Sequence, residues 1–206
     1  MLVLVTGGAR SGKSSFAEAY ASRLANQGVY IATAQAYDEE MKERIGLHRK
    51  QRDEAGYPWT TIEESYNLDQ LLNRWRVGGK HTAQCQTDED RSCPTDVTGS
   101  VILVDCLTLW LSNWLLRYEQ ETNAEQLVKQ KIDECVEACR RFAEQGHHLV
   151  LVTNEVGYGL VPEYKLGRQF RDLSGVMNQR LAREAEQVFL VTAGIPMELK
   201  SQQFKW

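Results

Sequence analysis

One segment near the start constrains this chain more than any other. Gly7, Gly8, Ala9, Arg10, Ser11, Gly12, Lys13 and Ser14 match G-x-x-x-x-G-K-[ST] at every fixed position. The match carries meaning only between a buried strand and a helix, and both flanks are present. Residues 2–6, Leu-Val-Leu-Val-Thr, form a short apolar run, and 13–25 reads as a helix. Glycines let the backbone wrap closely around phosphates, and N–H groups at the helix start donate to them. In such a loop Lys13 reaches the β- and γ-phosphates and Ser14 is placed to hold Mg²⁺. The expectation is a nucleoside triphosphate site, which by itself names no reaction.

The rest of the chain repeats the same alternation. Apolar runs at 29–33, 101–105, 149–153 and 188–192 are rich in Val, Ile and Leu with little polar alternation, as strands buried on both faces require. Residues 59–63 are a further strand candidate. Further helices are expected at 38–54, 67–75, 107–117, 124–145 and 172–186, with Gly146 ending the helix 124–145. This predicts an α/β fold, a P-loop NTPase-like three-layer sandwich with a mainly parallel sheet. At ~150 residues per domain, the 206 residues make one domain, 1–206. Segment 77–100 breaks the rhythm with turn formers and mixed charge, and reads as a mobile loop or insertion. Residues 101–105 end in Asp105, an acidic residue after four apolar ones. That is the form of a carboxylate that holds the nucleotide's metal, or of a plain helix cap.

Composition narrows the function classes. With 24 basic against 28 acidic residues, the net charge of −4 argues against a nucleic-acid-coating surface. No run approaches the ~20 apolar residues of a membrane span. Five cysteines, an odd count, read as reduced thiols of a cytoplasmic protein.

The expected helix 38–54 carries the most unusual pattern. Arg44, His48 and Arg52 are four apart and share a face, with Arg49 and Lys50 beside the histidine. Nearby positive charge favours the neutral, nucleophilic imidazole. The same arginines suit a phosphate under attack. From the spacing alone, a solvated basic face with an incidental histidine is the plainer reading.

These residues resemble the bifunctional adenosylcobinamide kinase / adenosylcobinamide-phosphate guanylyltransferase family of cobalamin biosynthesis. The likeness runs through Val-Thr-Gly-Gly-Ala-Arg-Ser-Gly-Lys-Ser at 5–14, Tyr-Ile-Ala-Thr at 30–33, and Asp-Glu-Glu-Met at 38–41. It continues in Arg44-Ile-x-x-His48-x-x-x-Arg52, in 59–63 and in Leu-Val-Asp-Cys-Leu-Thr at 103–108. It returns in Leu-Val-Thr-Asn-Glu-Val-Gly at 151–157, Gly-Leu-Val-Pro at 159–162, and 170–172 through 178–182. The resemblance implies two reactions. ATP or GTP phosphorylates adenosylcobinamide, and GMP from GTP is then transferred to adenosylcobinamide phosphate, releasing pyrophosphate. It implies a guanylylated histidine at His48. It also implies nucleotide contacts at the P-loop, at Ala32, Thr33 and Ala34, at Arg49, Lys50, Gln51 and Arg52, at Glu63 and at Asp105. Mg²⁺, GTP and ATP are the implied cofactor and nucleotides, and a homo-oligomer, of trimer size, is the implied assembly. Two readings stay open beside it: a plain small-molecule kinase with an idle His48, and a GTP-binding protein without turnover. Segment 77–100 and the aromatic tail 197–206 depart from a compact family pattern.

Weaker candidates remain. Asn154, Glu155, Tyr158, Arg168, Arg171 and Asp172 follow a buried strand, as ligand residues or as loop structure. Cys135 and Cys139, and Trp110 and Trp114, are i,i+4 pairs that suit core packing. His81, Cys85 and Cys93 make a thin zinc set, and His147 and His148 a histidine pair.

Overall fold

The computed structural model describes residues 1–35, 39–75, 94 and 96–204, apart from the side chains of Glu40, Met41, Arg44, His48 and Gln51. Most of segment 77–100, with His81, Cys85 and Cys93, lies outside the described residues.

The strands are β1 (Leu2–Thr6), β2 (Gly28–Ala32), β3 (Trp59–Glu63), β4 (Val101–Asp105), β5 (His148–Val152), β6 (Gln187–Thr192) and β7 (Ile195–Glu198). The helices are α1 (Lys13–Ala21), α2 (Glu39–Glu54), α3 (Leu68–Arg74), α4 (Leu107–Arg117), α5 (Ala124–Glu144) and α6 (Lys165–Glu184). Among the described residues the strands form one sheet in the order β3-β2-β4-β5-β1-β6-β7. All pairs are parallel except β6 with β7. The expected mainly parallel α/β sandwich is therefore present.

Alternation along the strands builds two cores. Leu2, Leu4, Val29, Ile31, Ile102, Val104, Leu149 and Leu151 face α3, α4, α5 and α6. Val3, Val5, Tyr30, Val101, Leu103, Val150 and Val152 face α1. Cys135 and Cys139 are buried free thiols within the first core, as their spacing suggested. Trp110 and Trp114 pack there too, and both indole N–H groups donate to the carbonyl of Tyr66, at 2.9 and 3.2 Å.

Two expectations need correction. Helix α1 ends at Ala21, where Ser22, Arg23 and Leu24 turn back onto Glu18, Tyr20 and Ala21 carbonyls, so 22–25 is not helix. Helix α6 starts at Lys165, seven residues before the expected Asp172, because Leu166, Phe170 and Leu173 pack on the first core. A strand that the sequence pattern did not show follows β6: Ile195–Glu198 pairs antiparallel with it through a turn at Ala193 (φ 51°) and Gly194 (φ 78°). In 77–100 the described end is anchored. Val97 is buried in the core, and the Trp75 indole donates to the Pro94 carbonyl at 2.7 Å.

Candidate active site

Strand register sets the site. Glu63 pairs with Ala32, Ala32 with Asp105, Asp105 with Val152, and Val152 with Val5. The carboxyl ends of five strands thus stand level, and at ~4.8 Å per strand Asp105 lies roughly 10 Å across from Val5. Ligands bind at this edge in open α/β sheets.

The loop after β1 follows from its glycines. A Cβ on Gly7 would stand 2.4 Å from the Val191 carbonyl oxygen, so no other residue fits there without moving backbone. Gly12 caps α1 at φ 89°, a left-handed conformation that glycine adopts freely. Gly8, Ala9 and Arg10 are exposed, while Ser11 and Lys13 are buried. The Lys13 ammonium donates to the Gly8 carbonyl at 3.2 Å, which curls it over the loop. The Gly194 N–H donates to the Ser11 carbonyl at 2.8 Å, so the β6–β7 turn braces the loop from below.

Beside the loop opens a cavity of about 150 Å³. It is lined by Lys13, Ser14, Tyr30, Ala32, Ala34, Ile45, Arg49, Arg52, Asp105, Cys106, Leu109 and Asn154. Three separate stretches named from the sequence, the P-loop, the end of β2 and the basic helix, therefore meet around Asp105. Asp105 is not a helix cap: Cys106 holds the N-cap position of α4, with no side-chain capping bond. Instead the Tyr30 hydroxyl donates to Asp105 Oδ2 at 3.0 Å. The Arg52 guanidinium lies 3.7 Å over the Tyr30 ring and is only 4% exposed. Arg49 forms an ion pair with Glu63, so both implied contacts are drawn to one corner. Lys50 lies on the exposed side of α2 and pairs with Glu54 at 3.9 Å. His48 and Gln51 belong to α2, one residue to either side of Arg49 and Lys50, with their side chains outside the described residues.

Hydrogen-bonding ties lie beside the cavity. Thr33 is fully buried: its hydroxyl donates to the Cys106 carbonyl at 2.7 Å and accepts from the Cys106 N–H at 3.0 Å. Asn113 donates to the carbonyls of Thr33 and Ser65, at 2.9 and 3.1 Å. Thr33 is thus a structural tie as well as a strand-end neighbour of the cavity. Sequence reading missed Glu18, which lies on α1 near Arg52 and Asp105. Burial raises its carboxyl to about 7; Arg52 pulls it back and Asp105 pushes it further up. Burial and then the Asp105 charge also raise the Cys106 thiol, which keeps it protonated. The one available signal for Glu18 was its spacing on the P-loop helix, one helical turn past Ser14.

The residues after β5 divide. Asn154 lines the cavity and donates to the Thr108 hydroxyl at 2.7 Å. Glu155, Arg168 and Arg171 hold the loop itself: the Glu155 carboxylate accepts from Gly157 N–H at 2.7 Å, Arg168 donates to Pro162 and Glu163 carbonyls, and Arg171 to Gly157. Tyr158 and Asp172 are exposed. Among the described residues no cluster of three His, Cys, Asp or Glu side chains that could hold a metal occurs, so His147 and His148 stand as a pair only.

Ser14 and Asp105 offer a hydroxyl and a carboxylate oxygen at the cavity, with Lys13 next to them. Oxygen donors of this kind suit a hard divalent ion such as Mg²⁺. The donor set fits.

The family model for CobU, cobinamide kinase / cobinamide phosphate guanyltransferase, matches residues 3–87 and 74–199. The chain belongs to this family. It is 38% identical to the bifunctional adenosylcobalamin biosynthesis protein CobU of Escherichia coli, over 97% of this chain and 100% of the relative. The Salmonella typhimurium CobU is 39% identical with the same coverage. CobP of Pseudomonas aeruginosa, also named a bifunctional adenosylcobalamin biosynthesis protein, is 36% identical over 97% of each chain. Among the described residues no helix is long and apolar enough to cross a membrane.

Proposed function

We propose that this chain phosphorylates adenosylcobinamide with ATP or GTP and then transfers GMP from GTP to the resulting phosphate. The triphosphate lies along the P-loop, with backbone N–H groups and Lys13 on its phosphates. Ser14 and Asp105 would hold Mg²⁺, which would neutralise phosphate charge. In the transfer, a neutral His48 nitrogen attacks the α-phosphorus. A P–N bond forms, the bond from that phosphorus to pyrophosphate breaks, and pyrophosphate leaves. An oxygen of adenosylcobinamide phosphate then attacks the same phosphorus, the P–N bond breaks, and the imidazole is regenerated. One difficult displacement becomes two easier ones.

The observation that carries this reading is the company His48 keeps. Ile45, Arg49 and Arg52, at three before, one after and four after it, line the same cavity as Lys13, Ser14 and Asp105. Arg52 supplies charge for the phosphate under attack. Ala32, Thr33 and Ala34 border the nucleotide at the end of β2, and the Arg49–Glu63 corner with Lys50 and Gln51 takes the base and ribose. A carboxylate suits guanine because it accepts from two adjacent N–H groups. Family membership disfavours both a plain kinase and a GTP-binding protein without turnover. Work as a homo-oligomer in the cytoplasm belongs to the same reading; buried free Cys106, Cys135 and Cys139 agree with a reducing compartment.

The test is intact-mass spectrometry after incubation with GTP and Mg²⁺ and no corrinoid. The native protein should gain one GMP and His48→Ala none. A native protein that binds GTP without the adduct would return the plain kinase to first place, with adenosylcobinamide turnover as the deciding assay.

A further inference from the structure

We propose that Tyr30 is a positioning residue for two cavity groups at once: its hydroxyl orients the Asp105 carboxylate, and its ring holds the Arg52 guanidinium. The inference rests on the reading of Asp105 as the metal carboxylate and Arg52 as a phosphate contact. In the sequence Tyr30 is one more apolar residue of a buried strand. Its surroundings are those of a polar residue.

The geometry follows from strand register. Tyr30 is paired with Leu103 on β4, and Asp105 is two residues further along. Residues two apart on a strand share a face, at roughly 6.6 Å, close to the reach of a phenol lying along the sheet. The hydroxyl therefore meets Asp105 Oδ2, at 3.0 Å. That leaves the second carboxylate oxygen for another ligand. On the open face of the ring lies Arg52, 3.7 Å from the centroid. The Trp59 ring meets Tyr30 edge-on, 5.9 Å away at 82°, and fixes its rotation. Phenylalanine would fill the same space without a buried hydroxyl to satisfy. A group that pins one oxygen of a metal-bearing carboxylate commonly changes metal affinity 10–100-fold when removed. A ring under a desolvated guanidinium holds a flat cation that would otherwise rotate freely.

The two halves separate by substitution. Binding of a fluorescent GTP analogue is measured by anisotropy, in EDTA and across a Mg²⁺ titration, with folding checked by circular dichroism. Tyr30→Phe keeps the ring and removes the hydroxyl. It should raise the Mg²⁺ concentration at half-effect about tenfold, with the metal-free affinity moving far less. Tyr30→Leu removes both, and should also weaken metal-free binding by roughly threefold or more. If Tyr30→Leu does not fold, Tyr30→Met fills the space without a π face and decides the same point. Asp105→Asn is the reference. If it shifts the Mg²⁺ midpoint and Tyr30→Phe does not, the positioning role of the hydroxyl is overturned while the metal reading stands. If Asp105→Asn leaves the midpoint unmoved, the metal reading falls and takes the hydroxyl half with it. Equal metal-free affinity for Tyr30→Phe and the ring-less variant overturns the Arg52 half.

Discussion

Glu18 shows how one side chain couples the site to pH. Folded, its carboxyl loses its proton at about pH 7, against 4.5 in an unfolded chain. Between those values the native state binds more protons than the unfolded state, so stability falls as pH rises through the window. The penalty is absent below 4.5 and at full size above 7. Glu18→Gln should therefore stabilise the protein at pH 8 relative to pH 4, by about 1–2 kcal/mol for a partly exposed group. Urea unfolding of both proteins at the two pH values checks it; an equal difference at both would mean that Glu18 titrates as an ordinary surface acid. Gly7 makes a second case at this scale. Gly7→Ala brings a methyl against the Val191 carbonyl, a backbone group that yields only by moving β6. The expected loss is about 1–3 kcal/mol, with GTP affinity falling alongside because the phosphate loop moves too.

At the scale of elements, the turn after β2 is held from α4. Asn113 is 1% exposed and bridges the carbonyls of Thr33 and Ser65, which follow β2 and lie in the segment before α3. Asn113→Ala would leave both carbonyls without that donor, at about 2–4 kcal/mol in total. For a chain of this size that is a fall in Tm of roughly 4–16 °C, read by calorimetry; a fall under a degree would mean that water replaces the amide at no cost. Elements were also where reading the sequence succeeded and failed most clearly. Buried strands β1, β4 and β5 were legible because parallel central strands are apolar on both faces. The start of α6 was not, because Lys165–Arg171 is a charged stretch whose helix is set by Leu166 and Phe170 docking on the core. Strand β7 was missed because an edge strand of four residues, Ile-Pro-Met-Glu, has too little alternation to register.

At the scale of the whole molecule, the β7 edge carries the assembly prediction. Ile195, Met197 and Phe204 are exposed at 65%, 52% and 80% on the outermost strand and the tail that follows it. Unpaired edges with apolar side chains are templates for another chain. Light scattering should give a multiple of the 23.5 kDa chain mass, and Met197→Lys should lower it. A native mass of one chain would remove the homo-oligomer from the functional reading.

By itself, the sequence determined the α/β class and the phosphate loop, and set a histidine among arginines along one helix. These depend on local patterns: a glycine-rich turn between strand and helix, apolar runs of strand length, and a histidine spaced with arginines along one helix. Only the tertiary structure decided which residues meet. The level line from Glu63 through Ala32 and Asp105 to Val5 exists because four strand pairings set one register across the sheet. That register turns Tyr30 from a core aromatic into the partner of Asp105 and Arg52, and the packing of α1 sets Glu18 near both. Contacts of this kind span 75 residues between Tyr30 and Asp105 alone. No periodicity within a short window encodes them, because they arise from how separate elements pack.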